Sequence, residues 1–214
     1  MLRAATPRSD HPELHVRKDP SHTFVSRGGL KLRHALDAFN LDVAALRCAD
    51  LGASTGGFTD CLLQAGAAHV VSVDTAYGQF AWKLRNDPRV TLLERSNALH
   101  TDPVEQVDLV VMDLGWTPQR LAVPAALRWL KPSGRLVTLL KPHYELDASE
   151  KHLLHAGVLA EADAEAVCAR VAAALPALGV SVVATTPSPI EGSKEKGRGN
   201  REWLALVTPT LPGA

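Results

Sequence analysis

Two features of this chain have residue types and spacing suited to chemistry. One is the turn Asp50-Leu-Gly52-Ala-Ser54-Thr-Gly56-Gly57, followed by Phe58; the other is a set of four charged residues, Lys31, Asp113, Lys141 and Glu202. The turn follows an apolar run (Leu46, Cys48, Ala49, Leu51) and leads into a helical pattern (Phe58, Cys61, Leu62, Ala65) closed by Gly66. Strand, glycine-rich turn and helix in that order make a seat for a nucleotide-like ligand. Glycines let the backbone turn tightly and approach the ligand, and the helix N-terminus offers unpaired N–H groups. A phosphate-cradling loop would need a lysine after the last glycine, and none follows Gly57. A dinucleotide fingerprint would need glycine where Ser54 stands. An acid at the strand end, Asp50, and a second acid one strand later, Asp74, suit S-adenosylmethionine (SAM) instead. That ligand has no pyrophosphate; its cationic groups tolerate carboxylates and its ribose diol seeks one.

The four charged residues suggest what happens to the methyl group. A ribose 2′-hydroxyl is a poor nucleophile and needs a base or strong polarisation. A lysine serves as base where burial or a neighbouring cation lowers its pKa. Lys141 is assigned as the base and Asp113 as its orienting partner, with Lys31 and Glu202 positioning the ribose and tuning the charge. Lys31 sits in the first turn of a predicted helix, where a cation opposes the helix dipole, so helix stability does not explain it.

These residues must be carried by alternating strands and helices. Hydrophobic periodicity predicts a helix over 29–40 and strands over 46–51, 69–74, 90–93, 108–112, 135–140, 179–186 and 201–208. Further helices are predicted over 77–86, 119–131 and 161–175, with a turn at 131–134 and a loop carrying one helical turn over 143–160. The alternation implies an α/β fold: a Rossmann-like, seven-stranded, mostly parallel sheet with helices on both faces. The last two strands are joined by a polar loop without a helix, so the last strand is expected to run antiparallel. Ligands bind beyond the carboxyl ends of parallel strands, where Asp50, Asp74, Asn97, Asp113 and Lys141 all fall. Glu202, at the start of an antiparallel strand, reaches the same edge.

Composition sets the remaining bounds. The 214 residues are 46% hydrophobic and 21% charged, enough for one well-packed domain over 25–210 preceded by a basic irregular arm over 1–24. Residues 1–35 hold seven Lys and Arg against three Asp and Glu within a chain of zero net charge, which fits contact with nucleic acid or a solvated tail. No apolar run approaches the length of a membrane span and the first residues contain no apolar signal core, so no membrane partner and a cytoplasmic location are expected. Three cysteines without a C-x-x-C pair read as reduced, buried thiols rather than disulfides or metal ligands.

Lys31, Asp113, Lys141 and Glu202 resemble, in order, the K-D-K-E tetrad of FtsJ-like (RrmJ-type) ribose 2′-O-methyltransferases. The stretches VSRGGLKL and DLGASTGGFTDCLLQAGA, the pattern of residues 77–90, Glu94-Arg95-x-Asn97 and the SPI-x-G…GN-x-E pattern of 188–202 are similar to motifs of the TlyA hemolysin-like rRNA methyltransferases. The resemblance implies a class I methyltransferase sheet, SAM as methyl donor and structured RNA, foremost rRNA, as substrate. It implies Gly52, Ser54, Gly57, Phe58, Asp74 and Asn97 around SAM, with Asp113 near both SAM and the acceptor; Asp50 and Gly56 belong to the same loop.

The sequence also departs from that subgroup. About 24 irregular residues stand where its members carry a small N-terminal RNA-binding domain. Where they have D-x-S-F-I-S-L, this chain has Asp113-Leu-Gly-Trp116-Thr-Pro118-Gln; where they have K-P-Q-F-E, it has Lys141-Pro-His143-Tyr144-Glu145. The loop before the last strand is longer and more charged, with Lys194, Lys196, Arg198 and Arg201. Trp116 and Tyr144 suit stacking on an acceptor base or packing against the sheet edge. Other readings remain open at the level of sequence: a catalytically silent SAM- or RNA-binding protein of ribosome assembly, or a methyltransferase with another acceptor. No amphipathic or spanning segment supports a membrane lysin.

Overall fold

A computed structural model describes residues 23–192 and 199–210. The basic arm, apart from its last two residues, and Lys194, Lys196 and Arg198 lie outside the described residues. The elements in order are α1 (Gly28–Ala38), β1 (Arg47–Leu51), α2 (Gly57–Gln64), β2 (His69–Val73), α3 (Trp82–Arg85), β3 (Val90–Leu93), β4 (Val107–Met112), α4 (Gln119–Leu127), β5 (Leu130–Leu140), α5 (Glu161–Ala174), β6 (Val180–Pro187) and β7 (Trp203–Pro209). The seven strands form one sheet in the order β3-β2-β1-β4-β5-β7-β6. β1 pairs in parallel with β2 and β4, and β4 with β5, while β7 runs antiparallel between β5 and β6. The expected mostly parallel sheet with an antiparallel last strand is what forms.

The sequence explains why the sheet is sandwiched. Cys48 to Leu51 are all buried, the continuous burial of a parallel strand covered on both faces. Alternate residues serve opposite cores. Leu109 and Val111 join Leu32, Leu36, Phe58 and Leu62 beneath α1 and α2. Val110 and Met112 join Ala122, Val123, Trp129 and Val171 beneath α4 and α5. The last strand in space, β6, has one side unpaired and, after the buried Val180, alternates exposed with partly buried positions, as an edge strand does. No helix among the described residues is long and apolar enough to cross a membrane.

Three elements differ from the periodicity reading. The helix expected over 77–86 forms only at Trp82–Arg85. Gly78 has φ +75°, outside helical space, and Phe80 turns into the core, so the chain reaches α3 as a loop. The helix expected to reach 131 ends at Leu127. Val107 N–H bonds the Trp129 carbonyl and Val107 pairs with Leu130, which recruits the expected 131–134 turn into an irregular start of β5. The 143–160 segment holds two short 3-10 turns, Pro142–Tyr144 and Ala148–Leu153, rather than one helical turn.

Candidate active site

The Asp50–Gly57 turn joins β1 to α2 at the carboxyl edge of the sheet. Gly56 caps α2 in left-handed conformation, φ +97°, and a Cβ there would meet Leu84 Cδ1 at 2.4 Å. Gly56 thus lets α3 pack against the turn and lines neither cavity described next. Gly52, at φ +90°, passes so close to the loop after β4 that a Cβ would lie 2.5 Å from the Asp113 carbonyl oxygen. Gly52→Ala therefore combines backbone strain with a backbone clash. It is expected to cost about 2 kcal/mol or more in thermal unfolding and to weaken SAM binding in a calorimetric titration.

Two cavities flank the turn. The first, about 400 Å³, is bounded by the start of α1 and the turn, including Ser26, Lys31, Gly52, Ser54, Gly57 and Phe58. The second, about 450 Å³, lies towards β2 and β3 and includes Gly52, Ser54, Asp74, Asn97, Leu114 and Lys141. Gly52, Ser54 and Asp113 line both, so the spaces meet at the turn. Asp74 lines the second cavity and is fixed there: its Oδ2 accepts the Ser54 N–H at 2.7 Å and its Oδ1 the Ala76 N–H at 2.7 Å. Asn97 Oδ1 accepts the Leu99 N–H at 2.9 Å.

Asp50 is not in either cavity, contrary to the expectation that it borders the cofactor. Its side chain is 0% exposed and faces α2, because Asp50 shares a sheet face with Cys48. Its Oδ2 accepts the Thr59 N–H at 2.9 Å and the Thr59 hydroxyl at 2.6 Å, and that hydroxyl also contacts Ser72. Asp50 thus satisfies an otherwise unpaired N–H in the first turn of α2, a capping role supplied from a strand. Burial raises its carboxyl to about 7 against the opposing hydrogen bonds from Thr59. The folded pKa exceeds the unfolded value of 3.8, so this group's stabilising contribution is complete below 3.8 and is lost as pH rises through about 7. Denaturant titrations between pH 4.5 and 7.5 are expected to show this downward slope in the wild type and a flatter one in Asp50→Asn.

The four charged residues meet in a third cavity of about 230 Å³, bounded by Lys31, Asp113, Lys141 and Glu202 together with His143 and Tyr144. Four separate elements bring them there: α1, the loop after β4, the end of β5 and the residue before β7. They form two ion pairs. Lys31 Nζ donates to Glu202 Oε2 at 2.5 Å, with the two residues 8% and 4% exposed. Lys141 pairs with Asp113 and also donates to the Leu114 carbonyl at 3.2 Å. Gly192 lies against Glu202, where a Cβ would be 2.7 Å from Oε1. Lys31 borders the first cavity, Lys141 the second and Asp113 both, so the charged cluster opens onto both spaces beside the turn.

The electrostatics correct one expectation. Burial works to lower the pKa of the Lys141 ammonium, but the carboxylates of Asp113 and Glu202 outweigh it and hold the pKa above the usual lysine value. Lys141 in this state is a paired cation, not the pre-lowered base anticipated from burial. Burial pushes the Glu202 carboxyl up, against the pull of Lys31.

Two aromatic residues stand beside the cluster. Trp116 is 85% exposed and held at φ +58°, a strained backbone for a bulky residue. Its ring lies 4.9 Å from that of Tyr144, tilted by 34°. Pairing at the rim with the indole left open favours the stacking alternative over packing into the sheet edge. His143, whose ring is 4.0 Å from Tyr144, is a site residue the sequence marked only as a departure from a motif. Ser26, on the wall of the first cavity, was visible only within the VSRGGLKL stretch.

Comparison with known proteins supplies the context for this geometry. The chain is 48% identical over 148 residues to the 16S/23S rRNA (cytidine-2′-O)-methyltransferase TlyA of Mycobacterium tuberculosis strain H37Rv, covering 68% of this chain and 55% of that protein. It is 35% identical over 191 residues to Hemolysin A of Brachyspira hyodysenteriae, covering 85% of this chain and 75% of that one. The chain thus spans little more than half the length of the Mycobacterium tuberculosis relative. A solved structure of a provisionally assigned hemolysin from Streptococcus thermophilus superposes with a TM-score of 0.80 at 38% identity, covering 88% of this chain and 68% of that one. A SAM-dependent methyltransferase from Mesorhizobium loti, 17% identical with a TM-score of 0.56, covers 81% of this chain and 95% of that one and shares the fold. The FtsJ-like methyltransferase model matches residues 24–198, most of the chain and every element from α1 to β6, so this protein belongs to the FtsJ-like methyltransferase family.

Proposed function

We propose that this protein transfers a methyl group from SAM to a ribose 2′-hydroxyl of structured RNA, with ribosomal RNA as the substrate class. The observation that carries this reading is the wall formed by Lys31, Asp113 and Lys141 between the cavities at the turn and the charged cavity. A donor on one side and an acceptor hydroxyl on the other would meet at these side chains.

The residues present fit SAM. Asp74 offers a fixed carboxylate for a ribose diol and Asn97 an amide beside it. Gly52, Ser54, Gly57 and Phe58 line a space by the N-terminus of α2. Bound there, SAM supplies a methyl carbon activated by a positively charged sulfur. The protein's own part is to hold the acceptor oxygen in line and receive its proton. In our reading the unprotonated Lys141 amine takes that proton and Asp113 keeps the amine oriented. Lys31, fixed by Glu202, steadies charge on the acceptor side. The raised pKa of Lys141 makes the free amine a minority species near neutrality. The rate is therefore expected to rise about tenfold per pH unit below that pKa, since the base form grows in that proportion.

RNA as acceptor is supported by the substrate in the TlyA relative's name, the open indole of Trp116 and the basic residues at 1–35 and 194–201. With ribosomal RNA as substrate, the site of action is cytoplasmic. Purified protein, unmodified rRNA transcripts and methyl-labelled SAM provide the test. Label in alkali-resistant dinucleotides is the expected result, since a 2′-O-methyl group blocks cleavage at its own phosphodiester. Label in bases or in protein, or none at all, would refute this reading.

A further inference from the structure

Next to the charged cavity lies another of about 310 Å³, bounded by Trp116, His143, Tyr144, Leu154, Gly157 and Asn200. His143, Tyr144 and Asn200 line both spaces, so a nucleotide with its ribose at Lys141 has this second space available for its base. The walls are aromatic or aliphatic with few polar side chains. Asn200 is committed to the fold: its Oδ1 accepts the Leu159 N–H at 2.9 Å and its Nδ2 donates to the Gly157 carbonyl at 2.8 Å. His143 is not committed. Its Nδ1 is buried and makes no hydrogen bond with the protein. Sealed in this way, Nδ1 is out of a ligand's reach; the ring's other nitrogen, Nε2, has no hydrogen bond among the described residues either and is the atom a ligand in the cavity can engage. Burial, then the charges of Lys141 and Lys31, push the imidazole down to about 4. It is therefore neutral at working pH and offers at Nε2 an N–H or a lone pair, according to tautomer, rather than a charge.

We propose that His143 is a specificity-determining residue, which hydrogen-bonds the edge of the acceptor nucleobase while Trp116 and Tyr144 contact its face. This rests on the ribose-methylation reading above and goes beyond it by saying what selects the nucleotide. A cation here would favour any phosphate, whereas a neutral ring with one donor or acceptor at Nε2 discriminates among base edges. Lys31, Asp113, Lys141, Tyr144 and Glu202 are the titratable groups facing the same cavity; burial first, and then the two lysines, keep the ring uncharged.

The test uses unmodified rRNA transcripts and methyl-labelled SAM, with the RNA digested to nucleosides and the four 2′-O-methylnucleosides quantified. His143→Phe keeps a ring of similar size and removes both nitrogens. It is expected to lower kcat/KM for RNA about tenfold or more and to spread label over nucleosides the wild type rejects, with SAM affinity unchanged. His143→Gln, which restores a donor and an acceptor, is expected to recover most of the rate and the preference. If His143→Phe does not fold, His143→Ala carries the same comparison. A variant with the wild-type kcat/KM and nucleoside profile overturns the assignment of His143 alone. Absence of any 2′-O-methylnucleoside with the wild type overturns the ribose-methylation reading and this inference with it.

Discussion

Lys141→Ala is expected to reduce methyl transfer by about 10²–10⁴-fold, the range typical of a lost general base, while SAM affinity stays within a few-fold of wild type. The separation follows from placement. Lys141 lines the Asp74 cavity but takes no part in the hydrogen bonds that fix Asp74. Its own contacts are Asp113, the Leu114 carbonyl and the Tyr144 ring. Removing the amine leaves the Asp113 carboxylate without its partner, but Asp113 is partly exposed and water can solvate it. The pH profile gives a second, independent readout. Wild-type rate is expected to climb with pH, because the carboxylates hold Lys141 in its ammonium form. The residual activity of the variant is expected to lack that climb. A variant that keeps more than about a tenth of the rate would show that Lys141 is not the base, since even modest acid–base catalysis exceeds that margin.

Glu202→Ala is expected to be the most destabilising single change at the site. It leaves the Lys31 ammonium, 8% exposed, with its 2.5 Å partner deleted. Removing one member of a buried pair costs about 3–5 kcal/mol, because the remaining charge is buried without compensation. The residues that pack on Glu202, Gly192 above all, lose their support as well. The double variant Lys31→Met, Glu202→Leu removes both charges and keeps comparable volume, so denaturant titration should show much of the lost stability restored. Methyl transfer should not return with it. Recovery of both would mean that the pair serves only the fold. Recovery of stability without activity is what a functional pair predicts.

Much of this site was legible from residue types. The turn from Asp50 to Gly57, the acid at Asp74 and the charged residues at strand ends each follow from where an α/β sheet presents its ligands. The meeting of Lys31 with Glu202 across 171 positions followed from one topological inference, that the last strand is antiparallel and starts at the same edge. What the sequence hid has physical causes. Asp50 looked like a cofactor ligand, but strand alternation turns it under α2, where it bonds Thr59. The length of α3 depended on Phe80 being drawn into the core, a tertiary effect that helical periodicity does not carry. The direction of the Lys141 pKa depended on a balance between burial and two carboxylates, which only three-dimensional placement resolves. His143 could be noticed only as an unusual residue after Lys141-Pro142; its unpartnered nitrogen is a property of the folded wall.

The most direct measurement is a map of 2′-O-methyl sites on ribosomal RNA from a strain lacking this protein, complemented with wild type or with Lys141→Ala. The predicted result is that at least one site disappears on deletion, returns with the wild type and does not return with Lys141→Ala. A map unchanged by deletion, or a site restored equally by both, would contradict methyl transfer at this lysine–carboxylate cavity.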